Sequence, residues 1–380
     1  MRWRLVGAAA AVLLATTPLP AAAQPVGEPG GQCAPPAQTV QPTQSWAQRR
    51  MAADRVWQLT TGAGVVGVVD TGVSATAPGL GGAVLPGTNL VGGLGDGDCY
   101  GRGTFIAGLI AARPSGDPDN PFTGIAPGAS VLPVRVTDAP DKIIDHVGLA
   151  VAIADGIIAA VDGGATIVAV GLVSTLDIPE LRAAVSYAVA RDVLVVASTV
   201  VPKKGQLAFP ARLPGVLAVA PVGPDGPFHD PTYGAGPALA APAEDLVSVA
   251  PTGVGHRIGS GPELAVGYVA GTAALVRAYR PELSAPQVAA RLLATADQPS
   301  GRLPNKLLGF GVVDPFAAVT TVLTDDPPTT PIAENLVVPR TEQPDPAPAN
   351  RALWFAGAVV AVALLAGGPA AVAAGRRQRG

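Results

Sequence analysis

Three polar side chains stand where apolar runs end or begin, and their types set what chemistry the chain can do. Asp70 closes the run Val65-Val66-Gly67-Val68-Val69, Arg102 lies between Gly101 and Gly103, and Glu263 follows Gly261-Pro262. A guanidinium stays protonated at any working pH, so Arg102 is neither a general base nor a useful acid. A glutamate is a nucleophile in glycosidases and phosphoryl-transfer ATPases, yet Glu263 has no activating base for attack on a peptide. Proton shuttling near neutral pH falls to histidine, and the three present, His146, His229 and His256, have no ligand partner at metal spacing. His256, between Gly255 and Arg257, reads as a solvated loop side chain. His229 falls in a proline-rich loop, and His146 opens or rides an amphipathic helix. No metal and no cofactor is expected.

The elements that must position these residues alternate along the chain. Short valine-rich runs at 65–70, 131–136, 166–172, 193–199, 216–221 and 246–250 read as buried strands. Helical periodicity appears at 104–112, 143–161, 180–190, 263–279 and 286–296. This order predicts an α/β fold, a parallel sheet with helices on both faces. Asp70 then ends a strand, and Arg102 and Glu263 sit near helix N-termini, at the sheet edge where such folds place their sites. Lys203 and Lys204 mark an exposed loop.

With the ends trimmed, roughly 300 residues remain, enough for one large core. The chain is 48% hydrophobic but only 4% aromatic, so that core must be built from small side chains. Net charge is -3, and no basic run interleaves with aromatics, which excludes the usual electrostatic case for nucleic-acid binding.

Both ends read as topogenic. Met1-Arg2-Trp3-Arg4, the apolar stretch 5–16 and Ala21-Ala22-Ala23 predict a secretory signal over residues 1–23. Residues 353–374 carry no charge, close to the ~20 needed to cross a bilayer, and Arg376-Arg377-Gln378-Arg379 follows. A single membrane pass is expected there, with the tail 375–380 cytoplasmic and the large domain outside the cell membrane. The alternative, a buried core helix, would have to accommodate Gly367, Gly368 and Pro369. Two proline-rich segments, an extension at 24–45 and a linker at 324–350, flank a domain at 46–323; the linker reads as an extended tether. The two cysteines of this exported chain, Cys33 and Cys99, most simply form one disulfide, stapling the extension to the loop before Arg102 and wrapping it over the cleft region. Two free thiols or half a metal site is the alternative.

Three blocks carry a family resemblance. Asp70-Thr71-Gly72, Gly101-Arg102-Gly103-Thr104 and Gly261-Pro262-Glu263-Leu264-Ala265-Val266-Gly267-Tyr268-Val269-Ala270-Gly271 resemble, in order and spacing, the framework of subtilisin-like serine proteases. Ala53-Asp54-Arg55-Val56-Trp57, Gly97-Asp98-Cys99, the signal and the anchor resemble the mycosins, membrane-anchored subtilases attached to type VII secretion systems. The resemblance runs over residues 46–321 and implies a subtilisin-like parallel sheet.

It also implies that the chemistry is gone. The family's acid matches Asp70, but Arg102 stands at the histidine position and Glu263 at the serine position, so nothing can take the hydroxyl proton and return it. Val201 stands where the family's asparagine donates into the oxyanion hole, a loss of about 2.7–4 kcal/mol of transition-state stabilisation on its own. Ala169-Val170-Gly171-Leu172-Val173 replaces the substrate-facing strand's usual Asn-x-Ser-Leu-Gly. Ser260 is the nearest serine, but the register of Val269-Ala270-Gly271 puts Glu263 at the nucleophile position. If the fold is kept, Asp70, Arg102 and Glu263 converge, either as a carboxylate-guanidinium-carboxylate network or with Arg102 swung to solvent. Three functions compete: a non-catalytic docking component of a type VII secretion membrane complex, a module binding extended peptide in the old cleft, or a living endopeptidase.

Overall fold

β-branched residues restrict χ1 and pack well on a pleated surface, and the valine-rich run before Asp70 forms the central strand of the protein. The computed structural model describes residues 24–25, 33–92, 97–140, 145–228 and 231–324. The strands are β1 (Gln24–Pro25), β2 (Gly64–Asp70), β3 (Thr88–Asn89), β4 (Ala129–Arg135), β5 (Ile167–Val170), β6 (Leu194–Ser198), β7 (Val216–Gly223), β8 (Gly226–Pro227), β9 (Leu239–Pro242), β10 (Leu246–Val249) and β11 (His256–Ser260). The helices are α1 (Trp46–Met51), α2 (Arg102–Ala111), α3 (His146–Asp162), α4 (Pro179–Ala190), α5 (Ala265–Tyr279), α6 (Ala285–Ala294) and α7 (Pro315–Thr320).

Among the described residues the main sheet runs β3-β4-β2-β5-β6-β7-β8, with β9 beside β7. All pairs are parallel except β7 with β8. Buried parallel strands send alternate side chains to opposite faces, and β6 does so residue by residue. Leu194 and Val196 join the core shared with α2 and α5, while Val195 and Ala197 join the one shared with α3 and α4. The helices α2 and α5 differ from surface helices in being buried almost all round. Every residue of α2 is buried, and so is α5 from Ala265 to Val276, the pattern of a helix enclosed by its neighbours.

Two sequence expectations change. The run 246–250 does not join the parallel sheet: β10 pairs antiparallel with β11 in a separate three-stranded sheet with β1. The short connection between β10 and β11 suits only an antiparallel pair, and β11, His256-Arg257-Ile258-Gly259-Ser260, lacks the apolar run that would have marked it. The helix expected from residue 263 begins instead at Ala265, behind a 3₁₀ turn at Pro262–Leu264.

The disulfide Cys33–Cys99 is present, closing a separation of 66 residues. From it the extension runs in extended form along the segment before β11. Ala37 N–H donates to Thr252 O at 3.0 Å, Gly255 N–H to Ala37 O at 3.0 Å and His256 N–H to Thr39 O at 2.8 Å. Ser45 and Gln48 then form a reciprocal capping box at α1. In the chain-entropy description, a loop of this length contributes about 4 kcal/mol. Replacing Cys33 and Cys99 by serine should therefore lower the unfolding free energy in urea by about that amount; a loss below about 1 kcal/mol would mean that the extension's hydrogen bonds hold it without the crosslink.

The chain divides into two units, Met1–Pro327 and Pro328–Gly380, the second outside the described residues. The expected signal 1–23, the linker beyond residue 324, the anchor 353–374, the tail 375–380 and His229 also lie outside them. Among the described residues no helix is long and apolar enough to cross a membrane.

Candidate functional site

The site is assembled at the carboxyl edge of the sheet, where β2 is flanked by β4 on one side and β5 on the other, the switch point at which open α/β sheets form a crevice. Asp70, fully buried, ends β2. Its Oδ1 accepts the Thr71 N–H at 2.7 Å, and the Thr71 hydroxyl accepts the Gly103 N–H at 3.0 Å, which docks the start of α2 against the strand end. This approach requires glycine: a Cβ on Gly103 would lie 1.9 Å from Gly72 O, and one on Gly171 would lie 2.0 Å from Asp70 Oδ2.

Arg102, the first residue of α2, is 6% exposed and turns inward. Its Nε donates to Asp70 Oδ1 at 3.0 Å and Oδ2 at 3.2 Å. The Nη2 atom is buried and has no hydrogen-bond partner. Burial by itself would lower the Arg102 pKa, but the charges of Asp70 and then Glu263 outweigh it and hold the pKa above the usual arginine value. The guanidinium is thus permanently charged, clasped directly by one carboxylate and biased by a second. Glu263 sits half-buried in the 3₁₀ turn before α5, its carboxylate folded back over Gly261.

Asp70 and Arg102 are therefore brought into contact, with Glu263 as the second charge beside them. Val201 is buried, and its backbone N–H is committed to Thr232 O at 2.9 Å. Arg102, Gly171, Leu172, Val201, Lys203 and Glu263 line one side or another of a cleft of about 510 Å³, which His146 also borders from the head of α3. Lys203 and Lys204 are exposed. Among the described residues of the extension, none lines this cleft. The hydrogen bonds from Ala37 and Thr39 to the segment before β11 direct the extension along the smaller sheet. Ser260 is held in β11, where its hydroxyl accepts the Asp245 N–H at 2.9 Å. His256 is not a solvated loop residue: it opens β11, half-buried, with its ring 5.2 Å from that of Phe122.

Chemically, the site holds two carboxylates around a charge that cannot be given up, and the guanidinium between them cannot take a proton from a hydroxyl.

One residue of the site had no role assigned from the sequence. Asp98, one position before Cys99, is buried beneath α2 and accepts from Gly101 N–H at 2.7 Å, Thr104 N–H at 2.8 Å and the Thr104 hydroxyl at 2.7 Å. It fixes the helix start that carries Arg102; an acid three residues before Gly101 and six before Thr104 was the available signal. Burial pushes the Asp98 carboxyl up from 3.8 to about 6, against these hydrogen bonds. A raised folded-state value means that the native protein holds this proton more tightly than the unfolded chain. Its stabilisation is full below the unfolded value and is lost as pH climbs to about 6. The unfolding free energy of the protein relative to Asp98→Asn should fall by about 2 kcal/mol between pH 4 and 7, read from urea titrations; a flat difference would mean an ordinary carboxyl.

Comparison with known proteins agrees with this geometry. The subtilase family model matches residues 62–311. Mycosin-4 of Mycobacterium tuberculosis is 34% identical over 374 residues, covering 86% of this chain and 80% of that protein. The crystal structure of MycP1 from Mycobacterium smegmatis superposes with a TM-score of 0.68 at 28% identity, covering 83% of this chain and 95% of the other. A chain in the periplasmic assembly from the ESX-5 inner membrane complex superposes with a TM-score of 0.67 at 28% identity, covering 85% and 94%. The chain belongs to the subtilase family, in its mycosin branch.

Proposed function

We propose that this chain is a membrane-anchored pseudoprotease, a non-catalytic docking component of a type VII secretion complex, with its large domain outside the membrane. The observation that carries the reading is the buried Asp70–Arg102 pair: a carboxylate that would orient a catalytic base is bonded at 3.0 Å to a guanidinium that cannot act as one. Two related structures support the setting. MycP1 is described as an essential component of the type VII (ESX-1) secretion system, and another relative lies in the ESX-5 inner membrane complex. The predicted signal and C-terminal anchor agree with that location.

A second reading rests on the cleft of about 510 Å³, which no described residue of the extension lines. In it, the old substrate groove still takes an extended peptide by strand addition without cutting it.

The test is a serine-directed covalent probe on the purified full chain, together with peptide turnover. The pseudoprotease reading expects neither labelling nor cleavage; labelling that disappears on mutation of a single serine overturns it. Co-purification with defined secretion-complex membrane components, against binding of free peptides, distinguishes docking from peptide capture.

A further inference from the structure

The N-terminal extension is held to the smaller sheet by backbone hydrogen bonds and by one side chain. The Gln41 N–H donates to His256 Nδ1 at 3.1 Å. An imidazole accepts at Nδ1 only when that nitrogen carries no proton. Protonation turns the acceptor into a second donor pointed at Gln41, and the bond cannot survive it.

The surroundings do nothing to rescue the charged form. His256 is half-buried against Phe122 and borders a cavity of about 320 Å³ whose other polar walls include Arg113, Ser115 and Asn120. Arg113 follows α2, and Arg257 is the next residue on the histidine's own strand. Asp117 and Asp119, the acids between the cavity-lining Ser115 and Asn120, are exposed. The facing extension, residues 35–44, carries no titratable side chain, and neither does the paired strand β10. Burial lowers the His256 pKa below its usual value, and among the described residues the cavity is lined by one arginine, Arg113, and no carboxylate.

We propose that His256 is a proton-operated latch: neutral, it clamps the extension at Gln41, and protonated, it releases that stretch between the Cys33–Cys99 crosslink and α1. The released segment stays tethered at both ends, by the disulfide on one side and the capped helix on the other. The device is thus a reversible local opening that uncovers the segment before β11. It is independent of whether the cleft is catalytic.

If only the open form takes a proton, its population scales as one plus ten to the power of 6.5 minus pH, a rise of about 30-fold from pH 7.5 to pH 5. Hydrogen exchange by mass spectrometry on the full chain, corrected for intrinsic chemistry, should show protection of the peptide containing Gln41 falling by that factor. His256→Asn retains an acceptor near the Nδ1 position but cannot be protonated, so its protection should be the same at both pH values. His256→Phe keeps the contact with Phe122 without an acceptor and should be open throughout. In the unaltered protein, exchange of the histidine C2 proton should give a midpoint coinciding with the loss of Gln41 protection. Protection that persists at pH 5 with His256 titrated, or an equal fall in His256→Asn, overturns the latch.

Discussion

Installing histidine at position 102 and serine at position 263 together will create serine-protease chemistry in this chain, and neither replacement alone will. Asp70 already ends β2, fully buried, with Oδ1 oriented by the Thr71 N–H and both oxygens offered to residue 102. A histidine there can donate one ring nitrogen to Asp70 and turn the other toward residue 263, which the turn Pro262–Leu264 presents to the same cleft. The arrangement acts as a unit, so the gain is strongly non-additive. Arg102→His alone has no nucleophile to activate, and Glu263→Ser alone leaves a hydroxyl beside a guanidinium. The double variant lacks a side-chain oxyanion donor at Val201, so adding Val201→Asn should raise turnover by a further ~100- to 1,000-fold. The readout is labelling at position 263 by a serine-directed probe, with cleavage of a peptide library. A folded triple variant that shows neither would mean that 70, 102 and 263 are not disposed as a triad.

Removing the guanidinium without removing its partner should be the most damaging single change in the site. Arg102→Met leaves the Asp70 carboxylate, 0% exposed, without its 3.0 Å and 3.2 Å hydrogen bonds. Breaking a buried ion pair from one side costs about 3–5 kcal/mol, because the remaining charge is stranded in low dielectric. Asp70→Asn should cost less, since Glu263 remains as a second carboxylate biasing Arg102. The double variant should recover most of the loss, as an apolar-neutral pair has no stranded charge. Urea denaturation of the four proteins closes the cycle. A loss below about 1 kcal/mol for Arg102→Met would show the pair to be energetically idle and undercut the view of the old active site as a structural ion pair.

The strands nearest the site were legible because they are buried on both faces. A strand with core above and below has no polar alternation and reads as a continuous valine run, as β2 and β6 do. The helices α2 to α6 were legible from periodicity, to within a few residues at their starts. β11 was not, because its contribution is backbone pairing with β10 and with the extension, and hydrogen-bond partners leave no mark on side-chain pattern. For the same reason His256 looked solvated: its burial comes from Phe122 and Gln41, both far away in sequence.

What the sequence by itself determined is the identity of the groups. An arginine cannot shuttle a proton whatever surrounds it, and a glutamate at 263 cannot be a serine; those properties belong to the side chains and travel with them. Only the tertiary structure decided how they are used, because contact and burial arise from elements brought together across the chain. It turned Arg102 inward onto Asp70 rather than out to water, put Asp98 beneath the helix start, and laid Ala37 and Thr39 of the extension along the segment before β11.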